Sequence, residues 1–189
     1  ACAPFRRLHL CDYNLENISD FDNINNHTLL VDVCLAAKYE GETLTTQHGK
    51  HHRDSTGSTI CTVLARSFAD IGDIVRGRDL YRGDNKKDKA QKLKLQDNLN
   101  KIFNDIKNTN RRLNDLTDDQ IKEYWWDANR EKVWYAITCD AGGGTYFRAT
   151  CSDENNPTQT QNNCQCIGQA VPTYSDYVPQ YLRWFEEWA

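Results

Sequence analysis

The chain has 189 residues, 39% hydrophobic and 11% aromatic, with a formal net charge of −4, which is enough for one domain with a sizeable core. Mean hydropathy is −0.79, and no apolar run reaches the roughly 20 residues that span a bilayer. Eight cysteines point to disulfides in an oxidising compartment; zinc is the weaker reading, because the closest pair is Cys164-Gln165-Cys166 and no C-x-x-C is present.

Cys2 to Cys11 brackets a short basic segment with Arg6, Arg7 and His9, and Pro4 argues against a helix through its start. Asn14 to Asn26 is polar with turn character. Its triplets Asn17-Ile18-Ser19 and Asn26-His27-Thr28 fit a glycosylation sequon, a pattern that often arises by chance. The spacing of Leu30, Val33, Cys34 and Ala37 predicts a helix over 27–40, with Asn26 as its cap and Gly41 as its stop. Cys34 is then a buried thiol or a buried half-cystine. Glu42 to Thr59 reads as a solvated loop carrying His48, His51 and His52, a cluster that gains charge at mildly acidic pH. His48 and His52 would share a face only in a helix, which Gly49, Gly57 and the Ser/Thr-rich flanks oppose, so no metal site is expected there.

A central helix is predicted over 60–77. Leu64, Phe68, Ile71 and Val75 form its apolar stripe, Arg66, Asp70 and Asp73 turn towards water or a polar neighbour, and Gly77 ends it. Arg82-Gly83-Asp84 reads as a turn before the next helix and only weakly as an integrin signal. Leu95, Leu99, Ile102, Phe103 and Ile106 predict a helix over 90–108. Thr117 and Gln120 make a capping box for a helix over 118–138, whose Trp125, Trp126 and Trp134 read as core anchors. From Cys139 to Cys166 the chain is irregular. Gly142-Gly143-Gly144-Thr145 lacks the lysine of a phosphate-binding loop. Pro179 then suits the first turn of a helix over 179–188, with Tyr181, Leu182, Phe185 and Trp188 on its apolar face. The fold class expected is all-α: a disulfide-stapled helical bundle with long loops.

No nucleophile motif and no metal-ligand motif of a known enzyme class is present, so neither catalysis nor a cofactor is expected. Charge points to binding instead. Arg76, Arg78, Arg82, Lys86, Lys87, Lys89, Lys92 and Lys94 are eight basic residues set against Asp79, Asp84 and Asp88. Such a patch attracts polyanions through a salt-sensitive field, and in an extracellular, disulfide-bonded protein the polyanion is a sulfated glycan and not nucleic acid. The plain alternative is a solvated helix start. From Asp115 to Glu131 the balance reverses, and the two segments can attract one another within the fold.

ARSFADIGDIVRGRDLY (65–81) resembles the central helix of the Duffy-binding-like domains of malaria parasites, in particular the α class of the erythrocyte membrane protein 1 family. The stretches 2–11 (CAPFRRLHLC), 29–41 (LLVDVCLAAKYEG), 124–126 with 133–134 (YWW and VW) and 178–188 (VPQYLRWFEEW) carry the same resemblance in the expected order. It implies a helical fold in which 1–25 close the first subdomain and 26–189 form the second. The chain starts at Ala1-Cys2 without Met and stops within a predicted helix, and so reads as part of a longer protein. The resemblance further implies adhesion and antigenic variation on the surface of the infected red cell. The partners are then host receptors on red cells or endothelium, sulfated or blood-group glycans, complement receptor in rosetting, and antibodies. The alternative is a structural, antigenically variable module whose neighbours bind the receptor. The pattern Cys139, Cys151, Cys164, Cys166 resembles the commoner four-cysteine subclass and not the two-cysteine subclass linked to rosetting. The resemblance also pairs Cys61 with a cysteine upstream of the last helix, taken here as Cys166. Cys151 with Cys164 then closes the polar loop, and exchange of Cys164 with Cys166 is the alternative. Cys34 and Cys139, both on or beside apolar helix faces, form the third expected pair; Cys2 and Cys11 are left open. Arg82, Lys86, Lys87 and Lys89 are the candidate ligand-binding residues.

Overall fold

The computed structural model describes residues 2–16, 18, 25–51, 59–152, 155–168 and 170–189. Seven α-helices run through them: α1 (Phe5–Leu8), α2 (Tyr13–Glu16), α3 (Asn26–His51), α4 (Ile60–Arg76), α5 (Lys86–Thr109), α6 (Asp118–Ile137) and α7 (Gln180–Trp188). Two 3-10 turns, Arg111–Leu113 and Ser175–Tyr177, join α5 to α6 and lead into α7. Among the described residues the only β pairing is two isolated bridges, Gly144 with Asn163 and Cys151 with Thr158. The all-α class is therefore observed.

α4 is the axis. Fourteen of its seventeen residues are buried, and the other three, Thr62, Val63 and Arg66, are half-buried. Phe68 packs at 5.2 Å from both Trp126 and Trp134 of α6, edge-on to the latter, and the two indoles anchor the core as expected. Gly72 lets α4 approach α6, because a Cβ there would lie 2.7 Å from the Trp126 ring. Gly77 ends α4 at φ 76°, the left-handed stop its position predicts. α6 starts on the expected capping box: Thr117 Oγ1 accepts from Gln120 N, and Gln120 Oε1 accepts from Thr117 N.

The predicted loop from Glu42 is corrected. α3 continues to His51, eleven residues beyond the expected end. Gly41 is not a stop but a contact: its ideal Cβ would sit 2.0 Å from the Ile137 carbonyl oxygen, so glycine allows α3 to lie on α6. His52, Arg53 and Gly57 lie outside the described residues, as do Asn17 and Ser19 of the first sequon. The cap of α3 also moves by one residue. Asn25 Oδ1 accepts from the amides of His27 and Thr28, while Asn26 Oδ1 accepts from the Trp125 indole at 2.5 Å.

The disulfides are Cys61–Cys164 and Cys151–Cys166, which exchanges the two expected partners. Cys164 sits at φ 63°. Its amide donates to the Gly144 carbonyl and its own carbonyl accepts from the Trp134 indole. This anchors Cys164 against the start of α4 and leaves Cys166 to meet Cys151. Gly144 lies 3.2 Å (ideal Cβ) from the Cys61 sulfur, which gives the glycine run a packing role. Cys34 and Cys139 are not bonded. α3 and α6 run parallel, with Asn26 beside Trp125 and Gly41 beside Ile137. Cys139, two residues past Ile137, thus lies level with the Gly41 end of α3. Cys34 is seven residues earlier, about 10 Å along the helix.

Candidate functional site

Two features lie around α4, one buried and one exposed. The buried one is a lattice of ion pairs that starts from Asp70, a residue with no exposed side-chain surface. Asp70 Oδ2 accepts from Arg6 at 2.7 Å; Oδ1 accepts from Arg183 at 2.7 Å, Gln180 at 3.0 Å and the Trp184 indole at 3.2 Å. Burial pushes the Asp70 carboxyl up, and Arg6 and Arg183 more than reverse this, so it titrates below the ordinary carboxylate value. Asp73 behaves oppositely. Burial outweighs Arg183 and Arg76, and repulsion from Asp70 adds to it, raising Asp73 to about 6. Arg6 also bonds Glu187 and Ser67, and Ser67 donates to Glu40 at 2.7 Å. One lattice thus ties α1, α3, α4 and α7 together. Of the two surroundings expected for Asp70 and Asp73, water or a polar neighbour, the structure shows the second.

The exposed feature is the basic stretch that runs from the end of α4 into the first half of α5. The structure divides its eight cations into two groups. Arg76 is buried against Asp73 and the Asp176 carbonyl, Arg78 lies 2.9 Å from Glu123, and Lys92 bonds Asp12 and Glu16. Glu123 belongs to the acidic segment, so the expected internal attraction is present at Arg76 and Arg78. Arg82, Lys86, Lys87, Lys89 and Lys94 are exposed, and none has an ion pair among the described residues. All four candidate ligand-binding residues are in this second group.

The turn that presents them is tied to α1 and α7. Leu80 N donates to Gln180 Oε1, Asp79 holds Arg7 and accepts from Gln180 at 2.8 Å, and the Arg7 guanidinium lies 5.0 Å from the Tyr81 ring centre. Gly83, at φ 93°, folds the Arg82-Gly83-Asp84 turn onto the first turn of α5; a Cβ there would be 2.6 Å from Lys89 N. Asn85 caps α5 by accepting from Lys87 N and Asp88 N. Lys86, Lys87 and Lys89 therefore sit where the helix dipole is positive, which helix stability alone disfavours.

The sequence reading located the exposed cations and missed the buried lattice. Its one available signal was Asp70 and Asp73 at helical spacing beside the apolar stripe of α4.

The model of the Duffy binding domain matches residues 1–183. No curated protein matches the chain. Among solved structures, the NTS-DBL1(alpha-1) domain of Plasmodium falciparum membrane protein 1 from the varO strain is 41% identical, with a TM-score of 0.81 over all of this chain and 43% of that one. A DBLβ domain of the same protein family, solved bound to human ICAM-1, is 34% identical, with a TM-score of 0.70 over 97% of this chain and 38% of that one. Plasmodium falciparum Erythrocyte Binding Antigen 140, at 23% identity and a TM-score of 0.64, shares the fold. The chain spans less than half the length of each of these structures.

Proposed function

The chain belongs to the Duffy binding domain family, and from that premise we propose that it is a host-cell adhesion module with a sulfated glycan as its most direct ligand. The observation that carries the reading is the set of exposed cations, Arg82, Lys86, Lys87 and Lys89, held on a turn whose backbone is fixed by Gly83, Asn85 and Gln180. A relative is solved bound to ICAM-1, which supports receptor binding as a use of this fold. In this reading residues 1–25 close a first subdomain, 26–189 form a second, and the domain faces outward from the infected red cell. We assign it no catalytic role. No helix among the described residues is long and apolar enough to cross a membrane.

The test is retention on immobilised heparin over a salt gradient. Exposed charges are screened within about 8 Å at physiological ionic strength, so elution should move to lower salt when the four cations are replaced by glutamine, with helical content unchanged. Equal retention of the replaced and original proteins would remove the turn as the glycan site. It would leave adhesion to the other parts of such domains, with this module structural and antigenic.

A further inference from the structure

A cleft of about 280 Å³ opens where the end of α4, the connection after it and the start of α7 meet; its walls include Arg76, Arg78, Leu80, Tyr177, Pro179 and Tyr181. Arg76 is 3% exposed. Its Nε donates to the Gly72 carbonyl, and its Nη2 donates to Asp73 and to the Asp176 carbonyl. Its Nη1 is buried and has no hydrogen-bond partner; the ion-pair oxygen facing it, Glu123 Oε2, is 3.5 Å away. Arg78 reaches the other oxygen of the same carboxylate at 2.9 Å, and that oxygen, although buried, also makes no hydrogen bond.

The remaining acids nearby are committed. Asp73 is shared with Arg183, Asp176 takes both arms of Arg130 and the Trp126 indole, and Asp70 holds Arg6 and Arg183. Beyond the bond of Arg76 Nη2 to Asp73, the Nη1 of Arg76 and the guanidinium of Arg78 thus share one carboxylate, on a side chain that is 30% exposed. A guanidinium matches a carboxylate through two parallel hydrogen bonds, a geometry that Arg76 and Arg78 do not obtain from Glu123. Leu80, Tyr177 and Tyr181, each roughly half exposed, give the mouth apolar walls.

We propose that this cleft is a carboxylate-binding site whose ligand is an acidic side chain of a partner polypeptide, which replaces Glu123 as the carboxylate paired with Arg76 and Arg78. The apolar neighbours of that acidic residue rest on Leu80, Tyr177 and Tyr181.

The Trp126 indole reports on the site, since it donates to Asp176 at 2.8 Å and its ring centre lies 5.7 Å from the Arg76 guanidinium. The experiment titrates the chain with N-acetyl-aspartate N-methylamide, and in parallel with the uncharged N-acetyl-asparagine N-methylamide, following the indole N–H resonance. The acidic probe should shift it saturably and the neutral probe should not. Glu123→Gln removes the competing charge and should tighten the acidic probe about tenfold, while Arg78→Met should weaken it about tenfold, in line with a charge-assisted hydrogen bond. Circular dichroism identical to that of the original chain checks that both variants fold. Equal response to the two probes, no saturable response in either the original chain or Glu123→Gln, or unchanged affinity in folded Arg78→Met would each overturn the proposal.

Discussion

The guanidinium of Arg183 in α7 lies 2.7 Å from the carboxylate of Asp70 in α4, joining residues 113 apart in sequence at a fully buried side chain. The same Asp70 holds Arg6 of α1. Replacing Asp70 with alanine leaves two guanidiniums buried without their common anion, and removing one partner of a buried pair typically costs about 3–5 kcal/mol. Urea unfolding of Asp70→Ala should show a loss of that order. Pairing it with Arg183→Met should give a double variant less destabilised than the sum of the two single ones, because the second change removes a stranded charge.

The pH dependence has two parts of opposite sign. Asp70 titrates lower in the folded chain than unfolded, so its stabilisation is present above the ordinary carboxylate value of 3.8 and is lost as pH falls below it. Asp73 is raised to about 6, so folding favours its protonated form. Its contribution is complete below 3.8 and is lost as pH rises through about 6. Unfolding free energies measured from pH 2 to 8 should therefore flatten below pH 3.8 in Asp70→Asn and between 3.8 and 6 in Asp73→Asn. A curve unchanged in shape in either variant would contradict the corresponding assignment.

At Gly41 the backbone of α3 lies close against that of α6. A methyl group there meets the Ile137 backbone oxygen, which cannot turn aside as a side chain can. Gly41→Ala should lower stability by about 1–3 kcal/mol, as overpacking does, even though alanine favours an isolated helix. Thermal unfolding that shows a gain would mean that α3 does not lie on α6 in this register.

This contact shows where the sequence was legible and where it was not. The existence and type of the five long helices follow from local periodicity, and Gly77 and the Thr117/Gln120 box follow from local backbone chemistry. Gly41 was read by the same local rule as a stop, yet what decides its role is Ile137, nearly a hundred positions later. The candidate cations were visible because charge can be counted along a chain. The removal of Arg76, Arg78 and Lys92 from that patch was not, because it depends on Glu123, Asp12 and Glu16 arriving from other elements.

Cystine pairing is open to direct measurement. Non-reducing digestion and mass spectrometry should recover Cys61 linked to Cys164 and Cys151 linked to Cys166. Cys61→Ser should cost about 2–4 kcal/mol, chiefly by freeing a long loop in the unfolded chain. Peptides joining Cys61 to Cys166 would restore the pairing first expected from the resemblance.

The exposed lysines at the start of α5 give a prediction in which stability and ligand binding move apart. Lys86, Lys87 and Lys89 occupy the first turn, where unpaired amides make the helix end positive, and only Asp88 there carries the favourable sign. Charge reversal should therefore stabilise the helix by about 0.3–1 kcal/mol per site, since acidic groups are favoured at that end. The same change inverts the field that would attract a sulfated chain. Lys86→Glu with Lys87→Glu should raise the melting temperature slightly while heparin retention falls to lower salt. A variant that lost retention and stability together would point to a damaged fold and not to a lost contact. A variant that gained stability and kept its retention would show that these lysines are not part of the glycan-binding surface.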